Sequence, residues 1–279
     1  MLNWLKSIAP GREARPYAPE KTRKWRRNEL RPPLDLEITP EWTLRCPRNA
    51  SSFSFWYQLH DPPQQDELQH FIELIKQLPE VSFLDVGCHF GLFTFAALQF
   101  GPPRAEVTAV DASRLALEMG ARIASLNRRT GQVRWIHSAV GATHGTLAMV
   151  AGGRSAAGYF LAADDSGEKG PTETIPLSTV DELARQMPHP PTVIKVDVEG
   201  YESEVIEGAQ GTLDRGGVVL CLEMHNGMMR ARGKNPEGLL QRLEQLGYRE
   251  FSQGRAPIAK EAILQADLIR VMARRVPAN

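Results

Sequence analysis

The densest chemistry in the sequence lies in Ile194-Lys195-Val196-Asp197-Val198-Glu199-Gly200-Tyr201-Glu202, where three charged residues alternate with apolar ones. Strand periodicity puts Lys195, Asp197 and Glu199 on one face, near the carboxyl end of the run. Buried charge at that density is unfavourable unless the groups are paired or take part in a reaction. A second segment, Glu223-Met224-His225, ends another apolar run with a carboxylate and an imidazole two positions apart. Glu199 and His225 are the candidate proton acceptors, with Asp197 beside them to hold a cationic group or position a substrate. Glu223 is the expected buried partner of Lys195. Plainer arrangements stay open: an ion pair only, and an imidazole satisfied at a strand end. Asp197, Glu223 and His225 also form an O,O,N set that several divalent metals accept, and spacing alone does not decide whether one binds.

A glycine turn supplies a second site. Phe83-Leu84-Asp85-Val86-Gly87-Cys88-His89-Phe90-Gly91 reads as a strand, a turn and a helix start. An open parallel sheet builds nucleotide sites this way at its carboxyl edge. Gly87 is expected to let a ligand approach the backbone, and Gly91 to let the helix pack. The third glycine of the dinucleotide fingerprint is missing, and the acid at Asp85 suits a cationic amino group better than a pyrophosphate. Val107-Thr108-Ala109-Val110-Asp111 ends in a carboxylate able to accept from both hydroxyls of a ribose. Ser138-Ala139-Val140-Gly141 follows the third run, leaving a slot for a flat ring against Ala112 and Ala139.

The elements that must position these groups alternate. Branched-residue runs at Val81 to Val86, Val107 to Val110, Val133 to Ile136, Thr192 to Val196 and Val218 to Leu222 are separated by helical patterns. A helix from Asp66 stops before Pro79, a second runs Leu92 to Phe100, and a third has Ser113 as N-cap. A fourth carries Val205, Ile206, Ala209 and Leu213, and a fifth starts at Asn235-Pro236. Strands apolar on both faces predict a Rossmann-like, doubly wound α/β fold with helices on both sides. The sheet is expected to be mostly parallel, with seven strands and an antiparallel C-terminal strand. In that order the first, fourth and fifth strand tips are neighbours, so Asp85, Gly87, Asp197, Glu199, Glu223 and His225 converge. Short strands at 145 to 150 and 173 to 177 flank a Gly, Ala and Asp-rich stretch, 152 to 171, a candidate lid.

At 279 residues, 42% hydrophobic, with Lys+Arg and Asp+Glu equal at 33 each, the chain is neither disordered nor a basic nucleic-acid coat. Residues 1 to 40 form a basic arm, rich in Arg and Lys between 10 and 33, with 41 to 279 the folded domain and 80 to 250 its core. The arm is read as a solvated leader or as a contact to an anionic surface. Three scattered cysteines, Cys46, Cys88 and Cys221, make no disulfide framework, and no apolar stretch is long enough to span a bilayer. A cytoplasmic protein is expected.

DVGxxxG, a strand-end acid, AVG, IKVDVEGYE and LEMH, in that order, resemble the FkbM-type family of S-adenosylmethionine-dependent methyltransferases of class I fold. The resemblance covers roughly residues 80 to 250. It implies that Asp85, Gly87, Cys88, His89 and Gly91 surround the methionine end of the cofactor, with Asp197 at its amino group. Asp111 would hold the ribose, and Ala112, Ser138 and Ala139 the adenine. Family members mostly show Ala-Asn where this chain has Cys88-His89, and often Glu where it has Asp111. The implied acceptor is a hydroxyl on a sugar, glycolipid, polysaccharide or secondary metabolite. Two alternatives use the same residues differently. An NAD-dependent oxidoreductase is disfavoured by the missing glycine and by Val205, not Lys, four residues after Tyr201. A non-catalytic, membrane-associated scaffold would rely on the basic arm.

Overall fold

The computed structural model describes residues 32–48, 55, 58–151, 159–161 and 172–276. In chain order the first elements are β1 (Leu34–Thr39), β2 (Trp42–Cys46), α1 (Pro62–Gln77), β3 (Ser82–Val86) and α2 (Leu92–Phe100). Next come β4 (Glu106–Asp111), α3 (Arg114–Leu126), β5 (Val133–His137), β6 (Ala139–Val140), β7 (Gly145–Ala151) and β8 (Tyr159–Leu161). They are followed by β9 (Thr172–Ser178), α4 (Val180–Arg185), β10 (Val193–Val196), α5 (Glu202–Glu207) and α6 (Gln210–Asp214). The last are β11 (Val219–Met224), α7 (Asn226–Ala231), α8 (Pro236–Gln245), β12 (Tyr248–Gln253), β13 (Ala256–Pro257), α9 (Lys260–Gln265) and β14 (Ile269–Arg275).

Five branched-residue runs form the parallel centre of an eight-stranded sheet ordered β13-β12-β14-β11-β10-β3-β4-β5. β14 lies antiparallel against β11, and β12 against β14. The seven expected strands are present, and the two-residue β13 extends the edge. Alternate side chains of each strand go to opposite faces. Phe83, Val107, Val193 and Cys221 pack toward α1, α2, α3 and the β1–β2 hairpin. Leu84, Val110, Ile194 and Leu220 pack toward α4 through α9. Phe71 of α1 meets Phe83 of β3 with ring centroids 5.0 Å apart.

The expected caps are in place: the Ser113 hydroxyl accepts from the Ala116 N–H, and Asn235 accepts from the Glu237 N–H. The single helix expected over Val205 to Leu213 is instead two, α5 and α6. Gly208 caps α5 at the break, and a Cβ on it would lie 2.1 Å from the Gly141 carbonyl oxygen. Gly208 lets the α5–α6 corner press on the strand that ends there.

β6, β9, β7 and β8 make a separate four-stranded sheet containing both expected short strands. Of the candidate lid, residues 159–161 pair with β7 and the remainder lies outside the described residues. Most of the basic arm, residues 1–31, lies outside them as well. Residue 40, the expected boundary, sits at the turn of the β1–β2 hairpin, which seals one end of the core with Trp42 and Leu44. Its signal was the strict alternation of Leu34, Leu36 and Ile38. Asn127, after α3, ties the hairpin down by accepting from the Arg45 N–H and donating to the Arg45 carbonyl.

Candidate active site

The turn after β3 is built by backbone contact. Gly87, at φ +79°, donates its N–H to the Val110 carbonyl at 2.9 Å. A Cβ there would lie 1.8 Å from the Asp197 carbonyl oxygen, so this glycine is required by the neighbouring strand tip before any ligand arrives. His89 is left-handed at φ +49°, and its N–H donates to Asp111 Oδ2 at 2.8 Å. Asp111 Oδ1 accepts from the Ser113 N–H at 2.7 Å, so one carboxylate joins the tip of β4 to two turns. Gly91, at φ +88°, lets the start of α2 pass the Trp135 ring, as expected for close packing.

Asp85, Lys195 and Glu223 share the face turned toward α1. Asp85 and Lys195 are direct neighbours across β3 and β10, and Glu223 pairs in register with Arg270 across β11 and β14. Glu67 of α1 closes the group from above. Lys195 Nζ lies 3.4 Å from Glu67, 3.4 Å from Asp197 and 3.9 Å from Glu223, and 4.5 Å from the centre of the Phe93 ring. The pairing expected between Glu223 and Lys195 is present at 3.9 Å, but it is not exclusive: Glu223 also bonds Arg270 directly, and Lys195 is shared among three carboxylates. Arg270 also reaches Glu67 at 3.0 Å. Glu67 and Arg270 were missed in the sequence because they lie 203 residues apart, on a helix and an antiparallel strand.

Burial sets the charge states here. It pushes the Asp85 carboxyl up to about 6, although the Thr94 hydroxyl, 2.7 Å away, and Lys195 pull the other way. Asp111 is pushed up to about 6 by the same desolvation, against the two N–H donors it holds. For Asp197, burial also opposes the charge, but Lys195 and His225 outweigh it and hold the group below its ordinary value. Glu223 shifts upward through burial and the charge of Asp197 beside it.

Asp197, Glu223 and His225 do come together, with one donor atom of each within 4.8 Å of the others. The Lys195 ammonium already sits between the two carboxylates, and Arg270 holds Glu223. A divalent cation would meet that positive charge at close range, so the ligand set does not fit one.

His225 sits at the tip of β11, 7% exposed, facing the turn that follows β10. The strand stops at Val196, so Asp197 and Glu199 reach the site from the turn and not from a strand face. Glu199 and Gly200 are consecutively left-handed, at φ +53° and +94°. His225 Nε2 is 3.4 Å from Glu199 Oε2 and 4.0 Å from Asp197 Oδ1. On its other side, Nδ1 is 2.8 Å from Oε1 of Glu202, which is fully buried. Burial opposes charge on the imidazole, but Glu202, Asp197 and Glu199 outweigh it and raise its pKa to about 9. His225 is thus an imidazolium at neutral pH, which alters its expected role as a ready base.

A family model described as the methyltransferase FkbM domain matches residues 85–250, more than half of the chain. The chain belongs to the FkbM methyltransferase family. It is an S-adenosylmethionine-dependent methyltransferase, and the oxidoreductase and scaffold alternatives are set aside. No curated protein matches it. Solved structures that are similar include methyltransferase FkbM from Methylobacillus flagellatus KT, 13% identical, with a TM-score of 0.43. That alignment covers 80% of this chain and 54% of the other. An S-adenosylmethionine-dependent methyltransferase from Agrobacterium tumefaciens is 13% identical over 89% of this chain and 71% of its own, at a TM-score of 0.45. The precorrin-6y C5,15-methyltransferase of Geobacter metallireducens GS-15 is 10% identical over 76% and 89%, at 0.44.

The turn after β3 and the tip of β10 border a small cavity. Asp85, Gly87, Cys88, Phe93, Lys195 and Asp197 line one cavity, offering carboxylates to an amino group and an ammonium to a carboxylate. Each Asp111 oxygen accepts one N–H and keeps a lone pair for a ribose hydroxyl. Ala112 is half-buried and takes a bond from His137 on its carbonyl. Ser138 is more committed than expected: its hydroxyl lies 2.7 Å from the Ala139 carbonyl and 3.1 Å from that of Pro176, inside the smaller sheet. It can therefore shape an adenine slot beside Ala139 but does not offer its hydroxyl. The Cys88 thiol, pushed well above its ordinary value by burial, is no nucleophile. Burial lowers His89 to about 4, so its ring is neutral, and it stacks on Phe90 at 3.8 Å. Histidine, like the family's asparagine, is among the residue types enriched in the left-handed conformation this position demands. Among the described residues, Cys46, Cys88 and Cys221 are free, and no helix is long and apolar enough to cross a membrane.

Proposed function

We propose that the methyl acceptor is a hydroxyl oxygen, carried on a sugar, a glycolipid, a polysaccharide or a secondary metabolite. The observation that carries this reading is the pair of His225 Nε2 and Glu199 Oε2, 3.4 Å apart, with the Glu199 side chain 67% exposed and so open to an acceptor. A neutral hydroxyl is a weak nucleophile, and a proton acceptor within reach accelerates its reaction by roughly 10²–10⁴-fold. A thiolate or a free amine would need no such pair.

When bound, S-adenosylmethionine supplies a methyl group on a sulfonium whose positive charge disappears during transfer. Asp85 and Asp197 would hold its amino group, Asp111 its ribose, and the Ala112, Ser138 and Ala139 slot its adenine. Carboxylates crowding the sulfonium would favour the reactant over the transition state. Lys195, 3.4 Å from Asp197, offsets that charge and holds it to one side.

Glu199 and His225 orient the acceptor hydroxyl, and Glu199 receives its proton. At neutral pH the imidazolium of His225 turns Nε2–H toward Glu199, so the available lone pairs belong to Glu199 and the proton goes there first. As pH nears 9, Nε2 itself becomes an acceptor.

The test is transfer of labelled methyl groups from S-adenosylmethionine into carbohydrate and lipid fractions of a cell extract. Label recovered as an ether stable to mild base is expected. Label recovered only in amines, thioethers or base-labile esters overturns the reading.

A further inference from the structure

We propose that Glu202 is the positioning residue of this site, one buried carboxylate that fixes both members of the pair, the ring of His225 and the turn carrying Glu199. The proposal rests on the hydroxyl-methylating reading above.

Glu202 is 0% exposed, at the first position of α5. Its Oε1 lies 2.8 Å from His225 Nδ1 and accepts the Gly200 N–H at 3.0 Å. Among the described residues its Oε2 has no hydrogen-bond partner, although it too is buried. A buried carboxylate with one idle oxygen is unfavourable unless something nearby repays the desolvation. The imidazolium of His225 is the cation that does so.

The same oxygen restrains the turn. Consecutive left-handed residues at Glu199 and Gly200 are strained for the glutamate, and such strain persists only where the surroundings impose it. Three contacts impose it here, and one is the Arg232 guanidinium donating to the Gly200 carbonyl. Glu202 holds the Gly200 N–H, and the turn is wedged against α7, where a Cβ on Gly200 would come 2.8 Å from Met228 Cβ. His225 immediately precedes α7. Glu202 therefore sets where Glu199 and His225 stand relative to each other.

A proton held on Nδ1 by Glu202 leaves Nε2 as the nitrogen that titrates, on the side facing Glu199 and the crevice. The charged groups facing the ring are Glu202 from α5 and Asp197 and Glu199 from the turn. Lys195, Glu223 and Arg270 stand behind Asp197.

The experiment is a pH titration of ¹⁵N-histidine-labelled protein by NMR, with the His225 signals assigned from H225Q, on the native chain and on E202Q. In the native protein the neutral ring should keep its proton on Nδ1, with a midpoint near 9. In E202Q the midpoint should fall by more than about one pH unit, because the acceptor remains but its charge is gone. A neutral ring protonated on Nε2, or an E202Q midpoint within about 0.3 unit of native, overturns the proposal. Should E202Q fail to fold, the tautomer of the native protein decides alone. None of these readings needs a methyl acceptor. Calorimetric titration of the same samples with S-adenosylhomocysteine tests the cofactor site separately, and its failure would strike the functional reading while leaving the tautomer result intact.

Discussion

Gly87 and Asp197 meet backbone to backbone, leaving no room for a side chain: a Cβ on residue 87 would lie 1.8 Å from the Asp197 carbonyl oxygen. The contact locks the cofactor turn onto the strand tip that carries the acidic cluster. G87A must both adopt φ +79° and push back that strand tip, so a loss on the order of 3 kcal/mol or more is expected. Gly131 is the control. It has φ +81° but nothing within 4 Å of its Cβ position, so G131A should lose only about 1 kcal/mol. Urea unfolding of both variants checks this, and equal losses would mean that the contact is not rigid.

The buried charge of Asp85 opposes stability. Its pKa in the fold, about 6, is above the ordinary 3.8, so its contribution is most favourable below about 3.8 and is lost as pH rises through 6. D85N keeps an acceptor for the Thr94 hydroxyl and removes the buried charge. It should be more stable than the native protein at pH 8, by on the order of 1–2 kcal/mol, and no more stable at pH 4. Its affinity for S-adenosylhomocysteine should fall by about tenfold or more. Asp111 is raised likewise, yet D111N should not stabilise, because its two oxygens accept from two different backbone N–H groups and an amide offers one oxygen. Thermal melts across pH separate these outcomes.

Lys195 neutralises the cluster made by Glu67, Asp197 and Glu223. K195M would take the ammonium from Asp197 and leave Glu67 and Glu223 to Arg270 alone, a loss of about 3–5 kcal/mol. Adding E67Q removes one of the crowded carboxylates, frees Arg270 for Glu223, and should recover part of it. A double-mutant cycle by denaturant unfolding measures the coupling, and strictly additive effects would deny that the two groups interact.

His225 should leave its mark on stability through pH. Its pKa in the fold, about 9, is above the ordinary 6.5, so its contribution is fully present below about 6.5 and is lost as pH rises through 9. The difference in unfolding free energy between the native chain and H225Q should therefore shrink by on the order of 1–3 kcal/mol between pH 6 and pH 10. A difference that stays flat over that interval would show that the ring is not held as an imidazolium.

The sequence by itself determined the layers of this fold and the sheet edge at which the acidic residues gather. Short continuous runs apolar on both faces suit a parallel sheet covered on both sides, and the caps at Ser113 and Asn235 set where helices begin. Asp85, Asp111, Asp197, Glu199 and His225 were legible because acids at successive strand ends are adjacent once the strand order is the doubly wound one. Only the tertiary structure decided how those charges are shared. Glu67 and Arg270 enter from an early helix and the last strand, and no local pattern in sequence reports that they balance Lys195 and Glu223. The same holds for Glu202, whose spacing resembles an ordinary helix start until His225 is folded against it. Electrostatic partners are chosen by distance in space and by the water excluded between them, and neither quantity exists until the chain has closed its core.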